Sequence, residues 1–215
     1  LTGDARLRDV SQNVGEWYLA RPRPLLPLIH YWRQPAWQGV ALLCAYEMTG
    51  DVRFLEGAGQ TMELTDFQKD HVGQLWPYMF SIGARVPRWY WEATGDPRAR
   101  ELFLHMMDDY LDKRLDPQDT AFGADPKREG MLLGNYPAAR ELNYYNEMAW
   151  ATRLSGDGRY ARLAGRDLNI QTRYALRSDV LLWGSAELVG EMRRLGMAGA
   201  QTYADNRWVY GAHEP

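Results

Sequence analysis

The chain has 215 residues and is 46% hydrophobic, which is enough apolar material for a sizeable core and carries no compositional mark of disorder. Its net charge is −3 and its arginines are scattered along the chain, so the composition argues against a nucleic-acid-binding protein. No apolar run approaches the ~20 residues of a membrane span, and the lone cysteine, Cys44, excludes an internal disulfide.

A five-residue phrase recurs along the chain and organises it. Its four copies are Thr2-Gly3-Asp4-Ala5-Arg6, Thr49-Gly50-Asp51-Val52-Arg53, Thr94-Gly95-Asp96-Pro97-Arg98 and Ser155-Gly156-Asp157-Gly158-Arg159. Glycine suits the left-handed position just past a helix end, and aspartate accepts amide hydrogens as the N-cap of the next helix. Pro97 is typical of a first helical position. The phrase therefore predicts a tight turn between two helices, repeated roughly every 45 to 60 residues as in an array of helical hairpins.

The predicted helices follow these turns in chain order. The first runs from Asp4 to about Ala20, and a proline-rich loop at 21–27 leads to a mostly apolar helix from about Ala36 to Thr49. Its partner covers Val52 to Leu64, and an apolar, aromatic run from Leu75 to Trp91 opens the second hairpin. We expect all of these segments to belong to one all-α domain.

Pro87 interrupts the second of these apolar runs, so we expect either a bend there or two short helices. The later predicted elements are a helix from Asp96 to about Leu115, a long loop at 116–137, a hairpin from about Ala138 to Leu154 and from Arg159 to Tyr174, and a last helix opening near Asp179 and ending around Gly196. The hairpin domain thus covers 1–196, and an irregular aromatic tail covers 197–215.

The first copy of the phrase follows Leu1 directly, without the helix that should precede its turn. We therefore expect the chain to begin in the middle of a hairpin, as a fragment of a longer native protein. Any targeting signal would then lie upstream of Leu1, which leaves the compartment open.

Two kinds of helix alternate in this pattern. The helices before each Gly-Asp turn are more uniformly apolar, whereas those after it are amphipathic and charged, so we expect the former inside and the latter outside. Consecutive hairpins of this kind stack into a curved double layer, either an open solenoid or a closed ring.

From Leu1 to about Gly196 the chain repeats one unit, which consists of an apolar helix, the turn Thr-Gly-Asp-x-Arg and an amphipathic helix. This repeat resembles the (α/α) toroids of carbohydrate-active enzymes. These six-hairpin glycosidases include unsaturated glucuronyl hydrolases and the helical domains of many polysaccharide lyases. The resemblance implies an enzyme that cleaves a glycosidic bond in an oligo- or polysaccharide. A complete toroid has six hairpins, and this chain supplies about three and a half of them.

The resemblance also implies where the substrate binds, since in these enzymes it lies at the rim opposite the Gly-Asp turns. The segments expected there are 30–38, 71–90, 135–146 and 178–183, which are rich in aromatic residues. Aromatic faces stack on the apolar surface of sugar rings. The candidate substrate-binding residues are Trp32, Trp37, Trp76, Arg88, Tyr136, Arg140, Tyr144 and Asn146.

Catalytic candidates are fewer. Glycoside hydrolysis commonly uses two carboxyl groups ~5 to 10 Å apart, and Glu141 is the most attractive carboxylate because it lies at the start of a predicted inner helix. The other carboxylates on that rim are Asp70, Asp125, Glu129, Glu147 and Asp179. A lyase would instead need a base such as His71 or Tyr78, with arginine or asparagine neutralising a uronate.

Metal-binding, redox and phosphate-binding motifs are absent from the sequence, and its four histidines have no ligand spacing, so we expect no metal and no cofactor. Two other functions stay open. The same rim could bind a glycan or a protein without cleaving it, or a toroid could act on an apolar substrate, as in terpenoid cyclases. A carboxylate pair, or a His or Tyr with Arg, in one cleft would favour an enzyme, whereas aromatics alone would favour binding. The oligomeric state is also open.

Overall fold

The computed structural model describes residues 5–20, 33–67, 77–114, 144–165 and 185–197. Within these ranges every regular element is an α-helix, which confirms the predicted all-α class. The helices are α1 (Ala5–Leu19), α2 (Arg33–Thr49), α3 (Val52–Phe67), α4 (Pro77–Thr94), α5 (Pro97–Arg114), α6 (Tyr144–Ser155), α7 (described over 159–165) and α8 (Ser185–Arg194).

For the apolar run around Pro87, now α4, the sequence predicts either a bend or two short helices. It runs as a single helix across Pro87, so the expectation of two short helices is wrong. Proline removes one backbone hydrogen bond from a helix interior, but tertiary packing can outweigh that loss. Val86, Pro87 and Arg88 are all buried, which supplies such packing.

The chain divides into two compact units. The first comprises Leu1–Leu75 and Ile82–Asp109, and therefore contains α1 to α3 with most of α4 and α5. The second comprises Trp76–Ser81 and Tyr110–Pro215, and contains α6 to α8.

The core of the first unit lies between α2 and α3. A cluster of buried side chains fills it: Leu42, Leu43 and Ala45 from α2, with Phe54 and Ala58 from α3. Helix α1 packs against this cluster through Gly15, where an added Cβ atom would lie 2.6 Å from Phe54 Cε1 and 2.8 Å from Ala45 Cβ. A Cβ atom added at Gly39 of α2 would likewise lie 2.8 Å from Val86 Cγ2 of α4. Glycines thus let neighbouring helices of this unit approach closely.

The second unit is held by ring stacking, an ion-pair group and another close glycine contact. Phe80 and Tyr110 stack with centroids 3.9 Å apart and an interplanar angle of 10°. Arg153 of α6 donates to Glu191 of α8 at 2.5 Å. Gly165 of α7 lies against the Met192 side chain of α8.

Burial follows the predicted alternation along the chain. Helices α2, α4 and α6, which precede the three described turns, are buried over most of their described length. In α2 only Gln34, Trp37 and Glu47 are exposed among residues 34–49. Helices α3 and α5, which follow the turns, alternate buried apolar positions with exposed charged ones. This confirms the predicted helical hairpins, each pairing a buried helix with an amphipathic one.

Candidate functional site

The three described copies of the repeated phrase adopt one turn geometry. Gly50, Gly95 and Gly156 have φ angles of 73°, 71° and 76°, in the left-handed region that glycine adopts without steric cost. Each glycine N–H donates to a carbonyl of the preceding helix, as Gly50 does to Tyr46 at 2.7 Å. This hydrogen bond is the αL motif that ends many helices, so the predicted role of the glycine is confirmed.

The hydroxyl residue that begins the phrase also has a structural role. Thr49 Oγ1 donates to the Ala45 carbonyl at 2.6 Å and accepts the Asp51 N–H at 3.1 Å. Thr94 and Ser155 make the same two bonds in their own turns. A hydroxyl at this position therefore links the end of one helix to the cap of the next, which explains why serine replaces threonine in the last copy.

The aspartate and arginine of the phrase bind each other as well as the backbone. Asp51 Oδ1 accepts the backbone N–H of Arg53 at 3.0 Å, which is the predicted N-cap bond. The Arg53 guanidinium donates to Asp51 Oδ2 at 2.6 Å, and this side-chain hydrogen bond lowers the pKa of Asp51. Arg98 and Asp96 repeat the arrangement. The polar groups of the turn thus have partners within it, in accord with its prediction as a structural element.

Six of the candidate site residues lie outside the described residues: Trp32, His71, Trp76, Tyr136, Arg140 and Glu141. Two more, Tyr78 and Tyr144, lie in the first turns of α4 and α6. Trp37, Arg88 and Asn146 have described side chains.

Trp37 lies near the start of α2, at the end remote from the Gly50 turn. Its side chain is 39% exposed although the residues on either side of this position in the helix are largely buried. The adjacent Gln38 donates from Nε2 to the carbonyl of Tyr18 at 3.2 Å, which joins this end of α2 to the end of α1. Trp37 therefore offers a partly exposed aromatic face on a positioned helix.

Asn146 lies in the first turn of α6, beside Glu147. The structure makes Glu147 a stronger candidate for a functional carboxylate than the sequence does. Glu147 is fully buried, and Asn146 Nδ2 donates to its Oε1 atom at 3.4 Å. Glutamate is almost never fully buried unless it is paired. The sequence carries a sign of this burial, because Glu147 stands among apolar residues of α6, whereas Glu141 lies nearer the predicted helix start.

Arg88 is placed differently from the other candidates. Its side chain is buried, its Nη1 atom lies 2.9 Å from Glu92 Oε1, and its guanidinium lies 5.7 Å from the ring centroid of Trp89. It lies in the half of α4 nearer the Gly95 turn. Arg88 thus has a structural ion pair, and its contact with a substrate stays a prediction.

The structure brings three of these residues together in the second unit. Tyr144, Asn146 and Glu147 share the first turn of α6. Trp37 and Arg88 lie on helices that touch at Gly39 and Val86, each two residues from that contact. Among the described residues no three His, Cys, Asp or Glu side chains are grouped so as to hold a metal ion. In the same part of the chain, no helix has both the length and the apolar character to cross a membrane.

Comparison of the chain with protein-family models, with curated proteins and with solved structures found no match in any of the three. No relative therefore supplies a substrate or a catalytic residue. The functional argument rests on the residues of this chain.

Proposed function

We propose that this chain is part of a carbohydrate-active enzyme of the (α/α) toroid type, which cleaves a glycosidic bond as a glycoside hydrolase or a polysaccharide lyase. The observation that carries the proposal is the repeated hairpin, in which a buried helix, a turn of constant geometry and an amphipathic helix follow one another. Folds host many activities, so the site residues rather than the architecture must decide the reaction.

The ends of the buried helices remote from the turns carry residues suited to a sugar. Trp37 presents an aromatic face near the start of α2, and Asn146 places an amide in the first turn of α6. An aromatic face can stack on a sugar ring and an amide can hydrogen-bond to its hydroxyl groups, so each of these residues by itself is suited to a sugar. Glu141 would serve as one of the two carboxyl groups of a hydrolase, and His71 or Tyr78 as the base of a lyase.

The test is a turnover assay of the purified protein on neutral and uronate-containing polysaccharides. New reducing ends report cleavage by either route, and ultraviolet absorbance of an unsaturated uronate reports a lyase. Glu141→Gln should lower hydrolysis on the order of 100-fold or more, since it removes a catalytic proton donor or acceptor, while the thermal midpoint stays nearly unchanged. Glu101→Gln, an exposed carboxylate on α5, is the matched control and should retain full turnover.

Full turnover in Glu141→Gln would remove that residue from the mechanism.

Exposure of Trp37 also favours a second function, non-catalytic glycan binding. Retention of the protein on a glycan without cleavage, weakened by Trp37→Ala, would support binding and contradict the enzyme.

A further inference from the structure

Trp17, near the end of α1, is another exposed tryptophan of the first unit. It is 48% exposed, compared with 39% for Trp37 near the start of α2. The Trp17 ring meets the ring of Tyr18 edge to face, with centroids 4.7 Å apart and an interplanar angle of 80°. This contact restricts the orientation of the Trp17 ring and leaves about half of the residue open to solvent. Trp17 thus offers a second aromatic surface besides that of Trp37.

The end of α1 is bonded to the start of α2 beside these two tryptophans. Gln38 Nε2 donates to the Tyr18 carbonyl at 3.2 Å. Tyr18 follows Trp17 in the sequence, and Gln38 follows Trp37. Because packed helices have their axes about 8 to 10 Å apart, the two tryptophans are separated by a distance that a glycan of several sugar rings can span.

Both tryptophans lie at the end of this helix pair that is remote from the Gly50 turn. A Cβ atom added at Gly15 of α1 would lie 2.8 Å from Ala45 Cβ of α2. Position 15 of α1 thus meets position 45 of α2, whereas position 18 meets position 38, so the two helices run antiparallel. Since α2 ends at the Gly50 turn, the end of α1 lies at the opposite end, which is the end proposed above to hold the sugar site.

We propose that Trp17 is a further sugar-binding residue, on which an outlying ring of a glycan stacks while another ring of the same glycan lies on Trp37. The glycan is therefore an oligo- or polysaccharide of several rings, longer than a disaccharide. Tryptophan suits this role because its broad apolar face matches the C–H surface of a sugar ring and its indole N–H can donate to a hydroxyl group. The proposal rests on the proposed carbohydrate function and extends its site to α1.

Three aliphatic residues of α1 provide a way to distinguish a glycan from a protein as the occupant. Leu7, Val10 and Val14 recur with Trp17 about one helical turn apart, and are 50%, 58% and 40% exposed. Aliphatic side chains have no flat face on which a sugar ring can stack, whereas a protein surface would bury all four residues alike. Val10 therefore supplies a matched control on the same helix.

The test is a titration of the purified protein with the disaccharides and hexasaccharides of cellulose, mannan and polygalacturonate, at low temperature so that any cleavage is slow. The variants are Trp17→Ala, Trp17→Phe, which keeps an aromatic face, and Val10→Ala as the control. The thermal midpoint and the molar mass in solution are measured for each variant, to verify folding and to detect association.

The parent should bind the hexasaccharide of at least one of these polymers more tightly than its disaccharide, because the longer chain reaches both tryptophans. Trp17→Ala should weaken hexasaccharide binding roughly 3- to 10-fold and leave disaccharide binding unchanged. Trp17→Phe should keep most of the affinity, and Val10→Ala all of it. Thermal midpoints should stay within about 4 °C of the parent, since Trp17 and Val10 are each about half exposed.

Equal hexasaccharide affinities of Trp17→Ala and the parent would overturn the proposal and leave the carbohydrate function standing. An equal loss of affinity in Val10→Ala, or a dimer of the parent that both alanine variants dissociate, would overturn it in favour of a protein-binding surface on α1. A parent that neither binds nor cleaves any of the glycans tested would contradict the carbohydrate function and this proposal together.

Discussion

At the scale of single residues, the turn phrase shows how local chemistry sets backbone conformation. The glycine supplies a positive φ, and the hydroxyl joins the two helix ends by hydrogen bonds. The aspartate caps the next helix and accepts a hydrogen bond from the arginine side chain two residues later. Each of these bonds joins residues close in sequence, so the three described copies form the same turn in different parts of the chain.

The substitution Gly95→Ala measures the free-energy cost of placing a residue other than glycine in the left-handed backbone conformation. A Cβ atom added at Gly95 would meet nothing within 4 Å, so no clash contributes, and only the strain of alanine at φ 71° remains. We expect the free energy of unfolding to fall by about 1 to 2 kcal/mol in a urea titration.

Gly190→Ala is the control for that substitution. Gly190 lies inside α8, and a Cβ atom there also meets nothing within 4 Å, but its backbone is helical. Alanine should therefore raise the free energy of unfolding by roughly 0.5 to 1 kcal/mol. If both variants shifted stability in the same direction, the backbone argument for Gly95 would be wrong.

At the scale of helices, contacts depend on glycines and on a few charged pairs between elements. Gly15, Gly39 and Gly57 each stand where a neighbouring side chain approaches to within 3 Å of where a Cβ atom would be. Helix propensity alone would disfavour all three. Their value lies in allowing the helices to approach one another.

Gly15→Ala tests whether close approach of α1 outweighs helix propensity. The substitution should favour the isolated helix by about 1 kcal/mol, yet its methyl group would collide with Phe54 and Ala45. We expect a net loss of about 1 to 2 kcal/mol in the free energy of unfolding. Phe54→Leu makes room for that methyl group. In the double variant with Gly15→Ala, the loss of unfolding free energy should therefore differ from the sum of the two single losses by at least ~0.5 kcal/mol. Strict additivity of the two variants would contradict the contact.

Glu191 predicts a pH dependence for the pairing of α6 with α8. Burial acts to raise the pKa of its carboxyl, but hydrogen bonds from Arg153 and Arg194 outweigh burial, so the pKa lies below its ordinary value. A carboxyl with a lowered folded-state pKa contributes stability above its unfolded pKa of about 4.3 and loses it as the pH falls toward the folded value.

Glu191→Gln should therefore cost about 1 kcal/mol of unfolding free energy at pH 7, and this penalty should shrink as the pH is lowered below about 4. Denaturant titrations across that pH range measure the change. Glu187→Gln, which changes an exposed carboxylate of the same helix, is the control and should change the free energy of unfolding little at pH 7. A Glu191→Gln penalty that stayed constant with pH would mean that the ionised carboxylate does not stabilise the contact.

At the scale of the whole molecule, the hairpins and their alternation of buried and amphipathic helices support the proposed toroid enzyme. Leu7, Val10 and Val14 of α1 are exposed, although the equivalent positions of α3 and α5, counted from each turn glycine, are buried.

Parts of the candidate site could be anticipated from the sequence and parts could not. The place of Trp37 and Asn146 near the remote ends of buried helices follows from the turns, which local residues specify. The burial of Arg88 does not, since hydropathy marks it as a surface residue, and for Glu147 the apolar neighbours in sequence are only a weak sign of burial.

The sequence by itself determined the turns, the helix order and the alternation of apolar and amphipathic helices, because caps and 3.6-residue periodicity act between residues a few positions apart. Only the tertiary structure decided that α4 continues through Pro87, that Gly15 sets the approach of α1, and that Leu7, Val10 and Val14 stay exposed. Each of these depends on which side chains from distant parts of the chain meet. A local sequence pattern indicates that a helix face is apolar, but it does not indicate which side chains cover that face.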